Sequence, residues 1–172
     1  MNAVAPIPEL RGARFFSDAQ RAQLEAVMEA IWPGGEDHPG ARDAGAADYV
    51  DQLLALPDEA YYEIERWRPL YVAGLAMLSA AAVQRFGGAA TLPTLPRADM
   101  TALLRDLAAG TLAGFPDAGW QRTFFSTMRA HCIEGCLSDP RWGGNRDGVI
   151  WSWLGYPYGP ARSFDRAAGG LA

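Results

Sequence analysis

Residues 70–86 read LYVAGLAMLSAAAVQRF, a run of helical length that is rich in alanine and contains one glycine. Small side chains on a helix surface allow a second helix to approach closely. The pair Gly87-Gly88 follows the run, and glycine commonly ends a helix. We therefore expect 70–86 to form the central, buried helix of the molecule.

Further helices are predicted on both sides of this run. Apolar residues from Leu24 to Ile31 repeat at the i, i+3, i+4, i+7 spacing of an amphipathic helix, and Ser17 with Gln20 matches a capping box. Asp58 and Asp117 are the predicted caps of two later helices. Pro69 should kink or split its helix near Arg68, because proline lacks a backbone N–H and clashes with the preceding turn. The predicted helical regions are 18–32, 43–56, 59–86, 99–109 and 117–137.

The fold class follows from these helices and from the missing strand pattern. No segment shows the alternation of apolar and polar residues that is typical of a half-buried strand, and 172 residues fit one domain. We predict an all-α fold, a single-domain bundle of about five to six helices with an irregular, aromatic-rich C-terminal segment. Residues 1–17 would be an extended lead-in, 18–137 the helical domain, and 138–172 a docking segment of the same domain.

Composition narrows the possible functions. The formal net charge of −5 argues against nucleic acid or an anionic membrane as the main partner. All fifteen basic residues are arginine, so chemistry that needs a lysine is excluded. Cys132 and Cys136 are expected to be buried free thiols, because two cysteines do not make a disulfide framework. No apolar run reaches the roughly 20 residues of a membrane span.

The segment 138–158, SDPRWGGNRDGVIWSWLGYPY, holds three of the six tryptophans. Its aromatic side chains need a surface to bury against, which either the protein's own helices or another protein could supply. Tryptophan, tyrosine and arginine are enriched at binding hot spots. The two arginines could instead contact carboxylates within the chain. The predicted partner-binding residues are Arg141, Trp142, Gly143, Gly144, Asn145, Arg146, Trp151, Trp153, Tyr156 and Tyr158.

Residues that could perform chemistry are few. Glu36, Asp37 and His38 share a loop. They offer a weaker alternative to the binding role, namely the metal-binding site of a helical enzyme. His131 and Cys132 are neighbours on one helix, where adjacent side chains diverge by about 100°, so a cysteine–histidine pair is disfavoured. We predict no catalytic, cofactor-binding or metal residues and no catalytic activity for this chain alone.

Three segments resemble the gluconate 2-dehydrogenase subunit 3 family. The segment 24–54, LEAVMEAIWPGGEDHPGARDAGAADYVDQLL, is similar to the opening of that family, and 71–87, YVAGLAMLSAAAVQRFG, to its core helix. The most specific is 138–157, SDPRWGGNRDGVIWSWLGYP, which resembles the family's ending of Asp-Pro, an aromatic residue, Gly-Gly-Asn, Trp and Gly-Tyr-Pro. Order and spacing agree across about 18–160.

The resemblance implies a partner protein. Such small subunits pair, usually as a heterodimer, with a large flavoprotein of the glucose-methanol-choline (GMC) type that carries FAD and oxidises a sugar or polyol. Some complexes also contain a cytochrome c subunit. Many members begin with a twin-arginine signal, so an export chaperone is an alternative function. The first sixteen residues show no such signal, and we expect a cytoplasmic complex, or a periplasmic one if a leader has been removed.

Overall fold

Residues 14–156 are described by the computed structural model, and the structural statements below concern this range. It contains seven α-helices and no strand, which confirms the all-α, single-domain prediction. The count exceeds the predicted five to six, because the second helix is divided and the C-terminal segment contains a short helix. The helices are α1 (Asp18–Ile31), α2 (Ala41–Ala44), α3 (Ala46–Ala55), α4 (Ile64–Phe86), α5 (Arg97–Ala109), α6 (Ala118–Leu137) and α7 (Val149–Trp153).

Helix α6, and not α4, occupies the centre of the bundle. It packs against α1, α2, α3, α4, α5 and α7, and it buries Phe124, Met128 and Cys132 completely. Helix α4 buries one face and leaves Val72 and Val83 exposed on the other. The prediction that 70–86 is the central buried helix is therefore wrong. Alanine makes a helix apolar on all sides, but it offers too little area to require burial on every face.

Proline 69 lies inside α4, which is continuous from Ile64 to Phe86. Of the predicted kink or split near Arg68, the split does not occur, and the chain turns earlier, through the short 3₁₀ turn Asp58–Ala60. Asp58 does not cap α4 and instead lies 2.5 Å from the Arg68 guanidinium. The N–H that proline lacks would have bonded the carbonyl of Glu65, which is an exposed residue in the first turns of α4.

Two predicted helix starts are confirmed in detail. Ser17 and Gln20 form a reciprocal capping box at the start of α1, and the Asp117 side chain accepts a hydrogen bond from the Trp120 N–H at the start of α6. Each cap satisfies backbone donors that the first turn leaves unpaired.

Both cysteines of α6 are buried and free, as predicted.

Gly45 divides the second predicted helix into α2 and α3. Its φ of 68° lies in the left-handed region, which glycine adopts without steric cost. A β-carbon at this position would lie 3.0 Å from the Arg146 guanidinium. The break therefore gives the C-terminal segment room to lie against α3.

Within 14–156, none of the helices combines the length and apolarity that crossing a bilayer requires.

Candidate functional site

The C-terminal segment completes the carboxyl end of α6. The backbone N–H of Asn145 donates to the carbonyl of Gly135 at 2.7 Å, and the indole N–H of Trp151 donates to the carbonyl of Leu137 at 2.9 Å. The last carbonyls of a helix have no partner within the helix. Residues 138–156 supply those partners and are thereby held in one place on the bundle.

Asn145 is fully buried and bonds within the chain. Its side-chain amide donates to the carbonyl of Ser138 at 3.1 Å, and its side-chain oxygen accepts the N–H of Ile150 at 2.9 Å. Its φ of 41° is left-handed, a conformation that asparagine tolerates better than most residues. The structure thus places this predicted docking residue inside the fold.

The glycine pair 143–144 allows the segment to lie close to two helices. A β-carbon on Gly144 would lie 2.2 Å from the carbonyl oxygen of Gly135 on α6. One on Gly143 would lie 2.5 Å from the side-chain oxygen of Gln52 on α3. Both distances are shorter than a van der Waals contact, so a side chain at either position would displace the segment.

The two arginines of the segment bond to carboxylates within the chain. Arg146 contacts Asp48 of α3 at 2.7 Å, and Asp48 also contacts Arg21 of α1 at 2.5 Å. Arg141 contacts its neighbour Asp139 at 2.8 Å, and this hydrogen bond lowers the pKa of the Asp139 carboxyl. The intrachain alternative therefore accounts for both arginines, although their side chains still reach solvent.

Three aromatic residues and one leucine form an exposed surface at the end of the chain's described part. Trp153, Leu154 and Tyr156 are 49%, 56% and 60% exposed. Trp151 is half-buried, with its ring 5.4 Å from that of Tyr156. We call these four residues the C-terminal patch. Tyr158, also predicted to bind a partner, lies outside the described residues.

Trp142 is separate from the patch and lines a cleft of about 680 Å³. Trp67 and Tyr61 form another wall of this cleft, with their rings stacked 5.3 Å apart. The ring of His131 meets Trp67 edge-on at 4.4 Å. We call this space, between α3, α6 and the start of α4, the aromatic cleft.

Polar groups of the aromatic cleft come from α3 and α6. The hydroxyl of Tyr49 donates to Glu134 at 3.2 Å, and burial together with that carboxylate raises the pKa of Tyr49. His131 is only 3% exposed, its Nδ1 lies 2.9 Å from the Tyr71 hydroxyl, and burial lowers its pKa to about 4. At neutral pH the cleft therefore has a neutral imidazole and a protonated phenol.

Sequence analysis missed this cleft, because Tyr49, Trp67, His131 and Glu134 are far apart in the chain and share no motif spacing. It also missed Asp51, a buried carboxylate that accepts the N–H groups of Phe15 and Phe16 at 2.7 and 2.8 Å. Asp51 lies on α3 beside the buried residues Val50 and Leu54, and a charged residue within a run of apolar residues was the available signal.

The alternative metal site has no geometric support. Glu36, Asp37 and His38 are exposed, and no group of three or more His, Cys, Asp or Glu within 14–156 is placed to hold a metal ion. His131 and Cys132 diverge as predicted, since the Cys132 thiol contacts the Met28 carbonyl at 3.6 Å. Among the described residues, neither set of side chains is therefore brought together.

Comparison with protein families gives a match to the gluconate 2-dehydrogenase subunit 3 model over residues 18–158. The chain belongs to this family. The match begins at the first residue of α1 and extends beyond α7, so it includes the bundle and the C-terminal patch. The description of the gluconate 2-dehydrogenase subunit 3 family is that of a dehydrogenase subunit, which implies a partner complex. No match was found among curated proteins or solved structures.

Proposed function

We propose that this chain is a non-catalytic small subunit that binds and stabilises a large FAD-dependent dehydrogenase or oxidase of the GMC type. The flavoprotein would carry the FAD and oxidise CH–OH groups of sugars, glycosides or polyols. The two chains would form a heterodimer, and a cytochrome c subunit could bind to it. The observation that carries the proposal is the C-terminal patch, an exposed apolar surface within a family of dehydrogenase subunits.

The arrangement of the patch supports a binding role. The bonds of Asn145 and Trp151 to α6 fix the backbone of the segment, while the side chains of Trp153, Leu154 and Tyr156 remain exposed. A surface that is already ordered loses little conformational entropy when it binds. Each square ångström of apolar area that is buried contributes about 25 cal/mol, so a few aromatic side chains supply several kcal/mol before ordering costs.

Expression of the flavoprotein with and without this chain tests the proposal. We expect the large subunit to be soluble, loaded with FAD and active only when the small subunit is present. Purified large subunit that has the same solubility, flavin content and activity without the small subunit would contradict a stabilising role.

The patch itself is tested by truncating its exposed rings. Trp153→Ala combined with Tyr156→Ala should weaken the complex by about tenfold or more, because aromatic truncation at a hot spot typically costs over 1 kcal/mol. Val83→Ala, on the exposed face of α4, is the control and should leave the affinity unchanged. Equal affinities in a calorimetric titration of all three chains would remove the patch from the proposal.

The cytoplasmic location and the export-chaperone alternative also stay predictions. Fractionation of cells that make both chains would distinguish these two predictions. A complex that is found in the periplasm, and only when this chain is present, would favour the chaperone.

A further inference from the structure

We infer that the aromatic cleft binds an arginine side chain carried by a loop of the partner subunit. The source of the arginine rests on the proposed function. The affinity of the cleft for a guanidinium group, by contrast, is a property of this chain alone and can be measured without any partner.

The shape of the cleft fits a flat cation with a short length of chain. Its volume of about 680 Å³ is in the range of ligand pockets, roughly 300–1,000 Å³. Trp67, Tyr61 and Trp142 line it, and Tyr61, whose ring stacks on that of Trp67, is 41% exposed. Guanidinium groups stack on the faces of aromatic rings.

The charge of the cleft also favours a cation. Glu134 lines it and bonds to the neutral hydroxyl of Tyr49, and no ion pair joins it to a cation in the part of the chain that the structure describes. The other charged groups in the lining, Glu63 and Arg66, pair with each other at 2.5 Å. His131 is neutral at neutral pH, because burial lowers its pKa to about 4. One negative charge is therefore left for an incoming group.

The chemistry of the guanidinium group matches a cleft lined by aromatic rings and a carboxylate. Arginine presents five N–H donors in a fixed plane, which can serve a carboxylate and a further acceptor together. Lysine presents a compact, strongly hydrated charge that cannot stack in this way.

The affinity of the full-length chain for a guanidinium group provides the first test. Nα-acetyl-arginine methylamide would be titrated into labelled protein, with the indole N–H signals of Trp67 and Trp142 followed by NMR. We expect saturable shifts of both signals and no shifts with the corresponding citrulline compound, which has the same shape without the charge. Glu134→Gln keeps an acceptor for Tyr49 and should weaken binding by about two- to fivefold, because Glu134 is exposed and an exposed ion pair contributes up to about 1 kcal/mol.

Glu65→Gln is the matched control, since Glu65 is exposed on α4 and is not part of the cleft lining. It should bind the arginine compound like the unaltered chain. Equal binding of the citrulline compound, an unchanged affinity in Glu134→Gln, or unmoved indole signals would each overturn the inference. Binding that becomes much tighter in a chain shortened to residue 156 would show that Arg162 or Arg166 of this chain occupies the cleft, which would overturn the assignment to a partner.

The complex provides the second test. Glu134→Gln should lower the affinity for the flavoprotein by about two- to fivefold relative to Glu65→Gln. If the arginine compound binds but the two variants form equally strong complexes, the partner's arginine lies elsewhere and the inference fails, while the proposed function stands. If the flavoprotein does not bind the unaltered chain at all, the proposed function fails.

Discussion

Asn145 joins three parts of the chain through one buried residue. Its backbone N–H bonds to Gly135, while its side chain bonds to Ser138 and Ile150. A buried amide with both ends satisfied stabilises a single arrangement of the backbone, because any other leaves a donor or acceptor unpaired. This residue sets the position of the C-terminal patch without being part of it.

Asn145→Ala should lower the free energy of unfolding by about 2–4 kcal/mol, because two buried hydrogen bonds are lost and their backbone partners are left unpaired. Denaturant unfolding followed by far-UV circular dichroism would measure the loss. Binding of the flavoprotein should weaken as a consequence, since the patch is no longer held in place. Ser152→Ala, an exposed change in α7, should stay within about 0.5 kcal/mol of the unaltered chain. A loss below 1 kcal/mol for Asn145→Ala would contradict this role.

His131 should make stability depend on pH. Burial lowers its pKa from 6.5 to about 4, so the unfolded chain takes up this proton at a higher pH than the folded one. The contribution of His131 to stability is complete above about pH 6.5 and is lost as the pH falls toward 4. We expect the unaltered chain to lose about 2 kcal/mol more than His131→Gln between pH 7 and pH 4.

Denaturant unfolding at several pH values measures this difference. His38→Gln is the control for the replacement of an exposed histidine. A pH dependence in His131→Gln that equals that of the unaltered chain would show that His131 is not the group responsible.

At the scale of the helices, the contact between α4 and α6 depends on one glycine. A β-carbon on Gly74 would lie 2.4 Å from the ring of Phe124, which is fully buried. Phe124 in turn meets the ring of Tyr71 edge-on, with centroids 6.0 Å apart. The ring of Phe124 therefore occupies the space that a side chain at position 74 would need, and α4 packs directly against α6 at this point.

Gly74→Ala should destabilise the fold by about 1–2 kcal/mol. Overpacking a core costs about 1–3 kcal/mol, and the higher helix propensity of alanine returns up to about 1 kcal/mol. Gly88→Ala serves as the matched control, because a β-carbon there has no neighbour within 4 Å. Thermal unfolding of both variants measures the difference, and a stabilised Gly74→Ala chain would contradict the close approach.

For the whole molecule, the C-terminal segment and the bundle form one cooperative unit. Arg146 links the segment to α3 through Asp48, and Trp151 links it to the end of α6. Ile150 is fully buried in the same core as α1 and α6. Removing the segment would expose part of that core and leave the last carbonyls of α6 unpaired.

Thermal unfolding should therefore give coincident transitions by two probes. Far-UV circular dichroism reports the helices, and tryptophan fluorescence reports the segment as well as the bundle, because the segment holds three of the six tryptophans. A single domain of this size usually unfolds in one transition. A fluorescence transition several degrees below the loss of helix would show that the segment unfolds by itself.

The all-α class, the caps at Ser17 and Asp117 and the membership of the family could all be predicted from the sequence, because each depends on residues that are close together in the chain. The central position of α6, the unbroken α4 and the burial of Asn145 could not. They depend on which faces of distant helices meet, and alanine-rich α4 has no strongly preferred face.

The sequence by itself determined where most of the helices lie and that the end of the chain is aromatic. Only the tertiary structure decided which of those rings are exposed, and it alone brought Tyr49, Trp67, His131 and Glu134 into one cleft. Helix formation is governed by neighbours three and four residues apart. A cleft is formed by the packing of side chains from separate helices, which local spacing does not specify.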